Sequence, residues 1–373
     1  NGGLAANYSI SAGQTTTAHI SPKSLTVSVN TASNKTYDSN SSATVTITLS
    51  GFIGSETLTY TNASSFNNKN VGTGKTVTVN SIMLADGNNG GLASNYSVTP
   101  GQTTTANIAA KALTISGITA SSKTYDGNTS ATLDTSSVLY TGLISGDTFN
   151  GSYSGAFGNA NVGTAKTVTI TPSYTGADVS NYDITDQTST TADISAKALT
   201  ATASASNKVY DGSSAATTTL SLSGFIGSET VTSTNSSTFN NKNAGTGKTV
   251  TVNSITLADG SNGGLAANYS ISTGQTTTAN ITAKSLTVSG ITASNKIYDG
   301  GTTAATTLSF SGLIGSETLG QTVGSTFDNK NVGTGKTVTV NSITLADGNN
   351  GGLAANYSIS PGQTTTANVT TKA

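Results

Sequence analysis

The sequence predicts an all-β fold, a rod-like tandem array of immunoglobulin-like β-sandwich repeats of about 87 residues. Three observations predict it. The tetrad Lys-Ala/Ser-Leu-Thr begins at Lys23, Lys111, Lys197 and Lys284, at spacings of 88, 86 and 87 residues. About seven short stretches rich in Thr, Val, Ile and Tyr recur in each period, separated by Gly and Asn turns. No stretch shows sustained helical periodicity. A fixed period indicates one structural unit copied along the chain.

The period divides the 373 residues into four repeats, 23–110, 111–196, 197–283 and 284–371. Each repeat is long enough to bury a core of its own. Residues 1–22 match the last two strands of a repeat, and residues 372–373 match the start of a further one. A lone hairpin is only marginally stable in water. We therefore expect that the array continues before residue 1, or that residues 1–22 complete the sheet of a neighbouring chain, and we favour the first.

The first half of repeat 4 illustrates the expected strands. Leu286-Thr-Val-Ser alternates apolar and polar residues, as a strand with one buried face does. Lys296-Ile-Tyr-Asp-Gly-Gly predicts a turn, because glycine readily adopts positive φ. A strand over 304–310 then leads into the corner Ser-Gly-Leu-Ile-Gly-Ser-Glu-Thr.

The second half of the repeat contains a long strand over 336–345, followed by a Gly/Asn-rich loop. Its apolar residues change parity along the strand, which predicts a β-bulge near Asn341 or Ser342. Asn356-Tyr-Ser-Ile and a strand over 363–369 close the repeat.

The connections between repeats are short. Only Thr-Ala-Lys-Ser separates Ile281 from Leu286, with neither Gly nor Pro, so the joint is predicted to be stiff. Sandwiches roughly 35–40 Å long would place four repeats in a rod of roughly 150 Å.

Two sets of tyrosines recur at fixed places in the repeat. In the Tyr-Asp-Gly turn, aspartate is expected to cap backbone N–H groups, glycine to supply the dihedral angle and tyrosine to pack its ring. The members are Tyr37, Asp38, Tyr125, Asp126, Gly127, Tyr210, Asp211, Gly212, Tyr298, Asp299 and Gly300. The second set occupies the place of the tyrosine corner of such sandwiches, where the phenol is expected to form a structural hydrogen bond. Its members are Tyr96, Tyr182, Tyr269 and Tyr357.

Composition narrows the range of partners. All 16 basic residues are lysine and the net charge is −1, so no basic stripe indicates nucleic-acid binding. The apolar runs are far too short to span a membrane. The low charge, the abundance of Ser, Thr, Asn and Gly, and the absence of cysteine suit an extracellular bacterial surface. The expected partners are neighbouring repeats, copies of the chain itself, or a surface polysaccharide.

The sequence predicts no catalytic site and no cofactor. The only histidine is His19, and no nucleophile–base set can be assembled. Gly-Thr-Gly-Lys-Thr resembles a phosphate loop, but the first glycine is missing and a strand follows. Calcium is the metal that best suits such a sequence, and the weak candidate ligands for it are Asp178, Asp183 and Asp186 in repeat 2.

The recurrent polar residues could also form a covalent cross-link within each repeat. Each repeat carries recurrent lysines, asparagines and one acid, which are the components of an intramolecular isopeptide bond. The acids are Glu56, Asp147, Glu229 and Glu317. The same residues also suit ordinary polar turns.

Four motifs in fixed order resemble the glycine-rich YDG repeat. They are Lys-x-Tyr-Asp-Gly, the Gly-Phe/Leu-Ile-x-Gly corner, Phe-x-x-Lys-Asn-Val-Gly-Thr-Gly-Lys-Thr-Val and Asn-Tyr-x-Ile. This repeat occurs in very large secreted bacterial adhesins, including those of filamentous-haemagglutinin type. Repeat 1 departs from the pattern with Ser39 in place of glycine, and repeat 2 lacks Asn-Lys-Asn and has Ala165 for glycine.

The resemblance implies a surface or matrix protein whose stalk is built from tandem sandwiches. We therefore expect a non-enzymatic stalk segment of an adhesin or biofilm-matrix fibre, which spaces a distal binding region from the cell. One alternative is a filament subunit in which residues 1–22 are donated strands. The other is an array of carbohydrate-binding modules, which the absence of tryptophan disfavours.

Overall fold

A computed structural model describes residues 1–373 of the protein. It contains 36 strands and five 3-10 turns. The strands of repeat 1 are β1 (Lys23–Ser24), β2 (Thr26–Ala32), β3 (Lys35–Thr36), β4 (Ser42–Ala43), β5 (Val45–Ser50), β6 (Thr59–Phe66), β7 (Gly72–Ala85), β8 (Tyr96–Ser97) and β9 (Thr103–Ala109). Those of repeat 2 are β10 (Lys111–Ser116), β11 (Thr119–Ala120), β12 (Lys123–Thr124), β13 (Ser130–Ala131), β14 (Leu133–Asp134), β15 (Leu139–Thr141), β16 (Asn150–Phe157), β17 (Gly163–Thr175), β18 (Tyr182–Thr185) and β19 (Ser189–Ser195).

Repeats 3 and 4 follow the same order. The strands of repeat 3 are β20 (Lys197–Ala205), β21 (Lys208–Val209), β22 (Ala215–Ala216), β23 (Thr218–Ser223), β24 (Val231–Phe239), β25 (Gly245–Asp259), β26 (Tyr269–Ile271) and β27 (Thr276–Thr282). Those of repeat 4 are β28 (Lys284–Ser285), β29 (Thr287–Ala293), β30 (Lys296–Ile297), β31 (Thr303–Ala304), β32 (Thr306–Ser311), β33 (Leu319–Phe327), β34 (Gly333–Asp347), β35 (Tyr357–Ser358) and β36 (Thr364–Thr370). The 3-10 turns are Ala5–Asn7, Ala93–Asn95, Val179–Asn181, Ala266–Asn268 and Ala354–Asn356. None of these helical turns is long enough to cross a lipid bilayer.

Repeat 3 pairs its strands in two sheets, and each of the other repeats has one five-stranded sheet and two smaller ones. The smaller sheet of repeat 3 has the order β23-β20-β26, in which β20 runs antiparallel to β23 and parallel to β26. Its larger sheet has the order β21-β27-β25-β24-β22, in which β21 and β27 are parallel and the other pairs antiparallel. Repeats 1 and 4 have a five-stranded sheet of the same order. The predicted all-β fold of tandem repeats is therefore confirmed.

Alternation along the strands places valines inward and threonines outward. In β25, Val250 and Val252 are both fully buried, and the residues that flank them are threonine or polar. This is the pattern expected of a strand with one face on a core. The predicted bulge is also confirmed, because Gly324 lies opposite Ser342 and Ser325 opposite Val340, which leaves Asn341 as the extra residue.

The chain divides into two compact units. Unit 1 comprises residues 1–121, 129–158 and 165–192, and unit 2 comprises residues 122–128, 159–164 and 193–373. Within unit 1, the apolar core of repeat 1 continues into repeat 2 through Leu113 and Tyr182. Within unit 2, the core of repeat 3 continues into repeat 4 through Leu286 and Tyr357. A repeat therefore shares its core with the next repeat as well as burying one of its own.

Residues 1–22, which match the last two strands of a repeat in sequence, form no strand in this chain. They are all exposed, and their only regular element is the 3-10 turn Ala5–Asn7. The equivalent strands of repeat 1, β8 and β9, are paired with β1, β3 and β7 of the same repeat. Residues 1–22 have no such set of partner strands in this chain, which explains why the pairing is missing.

Candidate functional site: the joints between repeats

We number the joints by the order of the repeats they connect, so the third joint is the contact between repeats 3 and 4. It is built around one carboxylate. The Tyr210 hydroxyl of repeat 3 donates to Oε1 of Glu317 in repeat 4, at 2.6 Å. The Tyr357 hydroxyl donates to the other oxygen, Oε2, also at 2.6 Å, and accepts the N–H of Ile314. The two tyrosine rings meet edge to face, with centroids 5.4 Å apart. Glu317 thus joins a tyrosine of its own repeat to a tyrosine of the preceding one.

An asparagine forms a second link at the same joint. Asn356 is completely buried, and its Oδ1 accepts the backbone N–H of Ala244 in repeat 3 at 2.8 Å. Its amide nitrogen donates to Oδ1 of Asn243 at 3.2 Å. Lys242, from the same loop, lies 3.4 Å from Glu317. We call the surface formed by the Tyr-Asp-Gly turn and the Asn-Lys-Asn loop the turn face, and the surface formed by the corner acid and the Asn-Tyr pair the acid face.

Gly212, the glycine of Tyr-Asp-Gly in repeat 3, packs closely against the next repeat. Gly212 has φ of +79°, and a Cβ at this position would lie 2.8 Å from Cγ2 of Ile314 in the next repeat. Any other residue would combine backbone strain with a steric clash. The isoleucine of the corner therefore packs directly on the turn of the preceding repeat.

Burial and hydrogen bonding shift the pKa of the Glu317 carboxyl in opposite directions. Burial alone would raise the pKa of Glu317, but hydrogen bonds from Tyr210, Tyr357 and Lys242 outweigh it and hold the pKa below its ordinary value. Burial and the hydrogen bond to Glu317 raise the pKa of Tyr210 to about 12 and that of Tyr357 to about 12. Both phenols are consequently neutral donors and the carboxylate is a charged acceptor near neutral pH.

A second joint repeats this geometry without a lysine. In unit 2, Tyr125 and Tyr269 each donate to Glu229 at 2.8 Å, and their rings lie 5.6 Å apart. Asn268 accepts the N–H of Val162 at 2.9 Å. The loop position that holds Lys242 in the third joint is alanine in repeat 2, which explains the missing ion pair.

In the first joint, between repeats 1 and 2, the residues differ, but a carboxylate again accepts hydroxyl groups from both repeats. Its corner acid is Asp147, whose carboxylate accepts from Tyr182 at 2.6 Å and from the Ser39 hydroxyl of repeat 1 at 2.7 Å. Tyr37 instead donates to Asp178, at 3.3 Å. Lys69 lies 2.8 Å from Asp178 and 3.3 Å from Asp147, so it forms an ion pair with each carboxylate.

The aspartate of Tyr-Asp-Gly belongs to its own turn rather than to the joint. In each repeat it pairs with the lysine three residues earlier, at 2.7–2.8 Å, and in repeats 1 to 4 these aspartates are Asp38, Asp126, Asp211 and Asp299. Its Oδ1 also accepts the N–H two residues later, as Asp299 does from Gly301. Aspartate therefore stabilises the turn of its own repeat, whereas tyrosine contacts the next repeat.

The three aspartates considered for calcium have separate roles. Asp178 pairs with Lys69 in the first joint, Asp186 accepts the hydroxyl of Tyr174, and Asp183 is exposed. No three acidic or histidine side chains in the chain converge on one point. A hard cation needs several oxygens around one position, and these residues do not fit that arrangement.

From the sequence, the only specific role suggested for the corner acids was in an isopeptide bond. The structure places Lys69 against Asp178 as an ion pair, in which the pKa of Asp178 is lowered, chiefly by Lys69, and the pKa of Lys69 is raised, chiefly by Asp178. A protonated amine is not a nucleophile. One feature of the sequence does point to the joint role of these acids. One acid recurs at the same corner of every repeat, although only 9% of the residues are charged.

Repeated sandwiches with interlocking joints define a repetitive structural protein. A family model described as the YDG domain matches residues 21–106, 109–191, 195–279 and 282–367. The chain belongs to the YDG domain family and carries four copies in tandem. No curated protein matches the chain significantly.

Proposed function

We propose that this chain is a structural segment of an extracellular bacterial stalk, in an adhesin or a biofilm-matrix fibre, and that it spaces a distal binding region from the cell. The observation that carries the proposal is the recurrence of the joint. Glu229 and Glu317 each accept two tyrosine hydroxyls, one from their own repeat and one from the preceding repeat. A function that needed only independent modules would not require such contacts.

The joints would suit a spacer because they resist bending. Each combines an apolar contact, a carboxylate bridge and an asparagine that is at most 1% exposed. Disturbing the joint would leave these polar groups buried without partners, which is unfavourable. A flexible linker, in contrast, would let adjacent repeats reorient freely.

The proposed role is structural rather than catalytic. In the joint clusters the tyrosines donate to the acids, and the asparagines accept backbone N–H groups of the preceding repeat, so these polar groups already have partners. Among exposed large apolar side chains the only aromatic is Tyr8. An array of carbohydrate-binding modules would need aromatic platforms on its repeats, so that alternative has less support.

Small-angle X-ray scattering of the full chain tests the proposal. A rod about 150 Å long has a radius of gyration of about 43 Å, whereas a compact protein of this length has one of about 21 Å. We expect a value near the first. A value near the second would contradict a spacer. As a matched pair, Glu317→Ala should broaden the distance distribution, and Glu56→Ala, whose carboxylate accepts a hydroxyl of its own repeat, should not.

A further inference from the structure

The acid faces differ in the loop that precedes the Asn-Tyr pair. In repeats 3 and 4 six residues, 260–265 and 348–353, separate the long strand from the 3-10 turn, whereas in repeat 2 only three residues, 176–178, do so. The last residue of the loop is Leu353 in repeat 4, with ψ of 126°, and Asp178 in repeat 2, with ψ of 0°. The short loop therefore ends in a carboxylate, on a backbone that takes a different direction.

Both kinds of loop hold the residue that follows the corner acid, but they use different groups. In repeat 4 that residue is Thr318, whose N–H donates to the carbonyl of Asn349 at 3.1 Å. In repeat 2 it is Thr148, whose N–H donates to Oδ2 of Asp178 at 2.9 Å. A side-chain carboxylate of the short loop thus replaces a backbone carbonyl of the long one.

The other oxygen of Asp178 enters the first joint. Oδ1 accepts the Tyr37 hydroxyl at 3.3 Å and lies 2.8 Å from Nζ of Lys69, and both of these residues belong to repeat 1. The corner acid Asp147, whose side chain is 1% exposed, lies 3.3 Å from the same ammonium group. The acid face of repeat 2 consequently presents two carboxylates, while the long loop of repeat 4 contains none and leaves Glu317 alone.

We propose that the length of this loop determines which turn face an acid face accepts, a rule that rests on the proposed structural role of the joints. A six-residue loop leaves one carboxylate, which a turn face satisfies with its tyrosine alone. The second joint is an example, because Ala160 stands at the lysine position and Tyr125 still donates to Glu229. A three-residue loop adds a second carboxylate, so the turn face must also bring a lysine, as repeat 1 does with Lys69.

Electrostatic repulsion supplies the discrimination. Two nearly buried carboxylates at one joint repel each other, and a partner without a cation leaves both charges uncompensated, which is strongly unfavourable. The turn face of repeat 2 has Ala160 in place of the lysine, so the acid face of repeat 2 would reject it. The long loops carry no such charge and accept a turn face with Ala160 or with Lys242. Repeat 2 therefore accepts repeat 1, but not a copy of itself, as its preceding neighbour.

A loop exchange in the full chain tests the rule. Residues 348–353 are replaced by Gly-Ala-Asp, the sequence of residues 176–178, with and without Lys242→Ala, and calorimetry measures the Tm of unit 2. In the natural loop, Lys242→Ala should lower this Tm by at most about 4 °C, because its ion pair with Glu317 is partly exposed. In the exchanged loop the same substitution should lower the Tm at least twice as far, because two carboxylates then lack a counter-ion. Equal shifts in the two loops would overturn the proposal.

Point variants of unit 1 provide a second test with the loop intact, and they decide the matter if the exchanged loop gives no transition. Lys69→Ala should lower the Tm of unit 1. Asp178→Asn in the same chain should recover at least half of that loss, because asparagine keeps an acceptor for the Thr148 N–H and removes the second charge. Asp134→Asn is the matched control, because Asp134 is exposed and also accepts a backbone N–H, and it should recover nothing. Recovery by both substitutions, or by neither, would overturn the proposal.

The loop rule and the spacer can fail separately. Scattering of the full chain measures its length, whereas the calorimetric pattern of the variants measures which groups the joints require. A compact chain that shows the predicted pattern would contradict the spacer alone. An elongated chain without that pattern would contradict the loop rule alone.

Discussion

Glu317→Gln isolates the contribution of the carboxylate that connects repeats 3 and 4. The substitution preserves volume, so no cavity is created. Glu317 accepts one tyrosine hydroxyl at each oxygen, and its side chain is only 6% exposed. Glutamine offers a single acceptor oxygen, so one tyrosine must lose its acceptor. The variant also loses the charge that Lys242 faces at 3.4 Å.

The expected loss follows from the bond that disappears. A hydrogen bond to a charged group contributes about 1.5–3 kcal/mol, and water cannot easily replace it in a buried joint. We therefore expect the free energy of unfolding to fall by about 2–3 kcal/mol. For a unit of 150–250 residues each kcal/mol lowers the Tm by about 2–4 °C, so the transition of unit 2 should move down by roughly 4–12 °C.

Glu56→Gln is the matched control. Glu56 accepts only the Tyr96 hydroxyl within this chain, and the glutamine oxygen can keep that bond. Glu56 is partly buried and its one bond would pass to a neutral acceptor, so the substitution should cost about 0.5–1 kcal/mol, less than Glu317→Gln. Scanning calorimetry of both variants, at dilutions where chains do not associate, measures the difference. Equal shifts in the two variants would refute the conclusion that the carboxylate stabilises the joint rather than its own repeat.

Three further predictions concern the turn, the pH dependence and the ion pairs. Gly212→Ala should lower the free energy of unfolding by about 1–3 kcal/mol more than Gly300→Ala in denaturant titrations, because both have φ of +79° but only the first has an isoleucine 2.8 Å from the added Cβ; equal losses would contradict the clash. The folded pKa of Glu317 is below the ordinary 4.5, so its contribution is complete above that pH and is lost as the pH falls through the lower value. The pKa of Tyr210 is raised to about 12, so its contribution is complete below 10 and is lost as the pH rises through about 12; denaturation midpoints across pH that are flat in both ranges would contradict these assignments. Lys69→Ala leaves two neighbouring carboxylates without their counter-ion and should destabilise unit 1, an effect that calorimetry would show as a lower Tm of unit 1 and that Glu317→Gln should not share.

Local pattern was sufficient to predict the repeat itself. The period, the alternation of valine and threonine and the glycine turns depend on neighbouring residues, so they are visible in the sequence. The bulge at Asn341 was predicted for the same reason, because a change of parity within one strand is local. Residues 1–22 match the last two strands of a repeat in sequence, but a strand forms only where partner strands are present, which pattern alone does not supply.

The joints could not be predicted by such reasoning. Tyr210 and Glu317 are 107 residues apart, and Tyr125 and Glu229 are 104 residues apart. Each pair links the turn of one repeat to the corner of the next, so the contact depends on how two folded repeats meet. Strand periodicity shows which side of a strand is buried, but it does not show which end of a sandwich contacts its neighbour.

Two differences from the other repeats meet in the first joint. Ser39 replaces glycine in the turn of repeat 1, and Asp147 replaces glutamate at the corner of repeat 2. Aspartate is one methylene shorter, so it reaches less far toward the preceding repeat. The Ser39 hydroxyl meets it at 2.7 Å, while the Tyr37 hydroxyl bonds to Asp178, 3.3 Å away. A change on one face is thus accommodated on the face it contacts, which is the expected behaviour if each repeat is matched to its neighbour and the order of repeats along the chain has structural meaning.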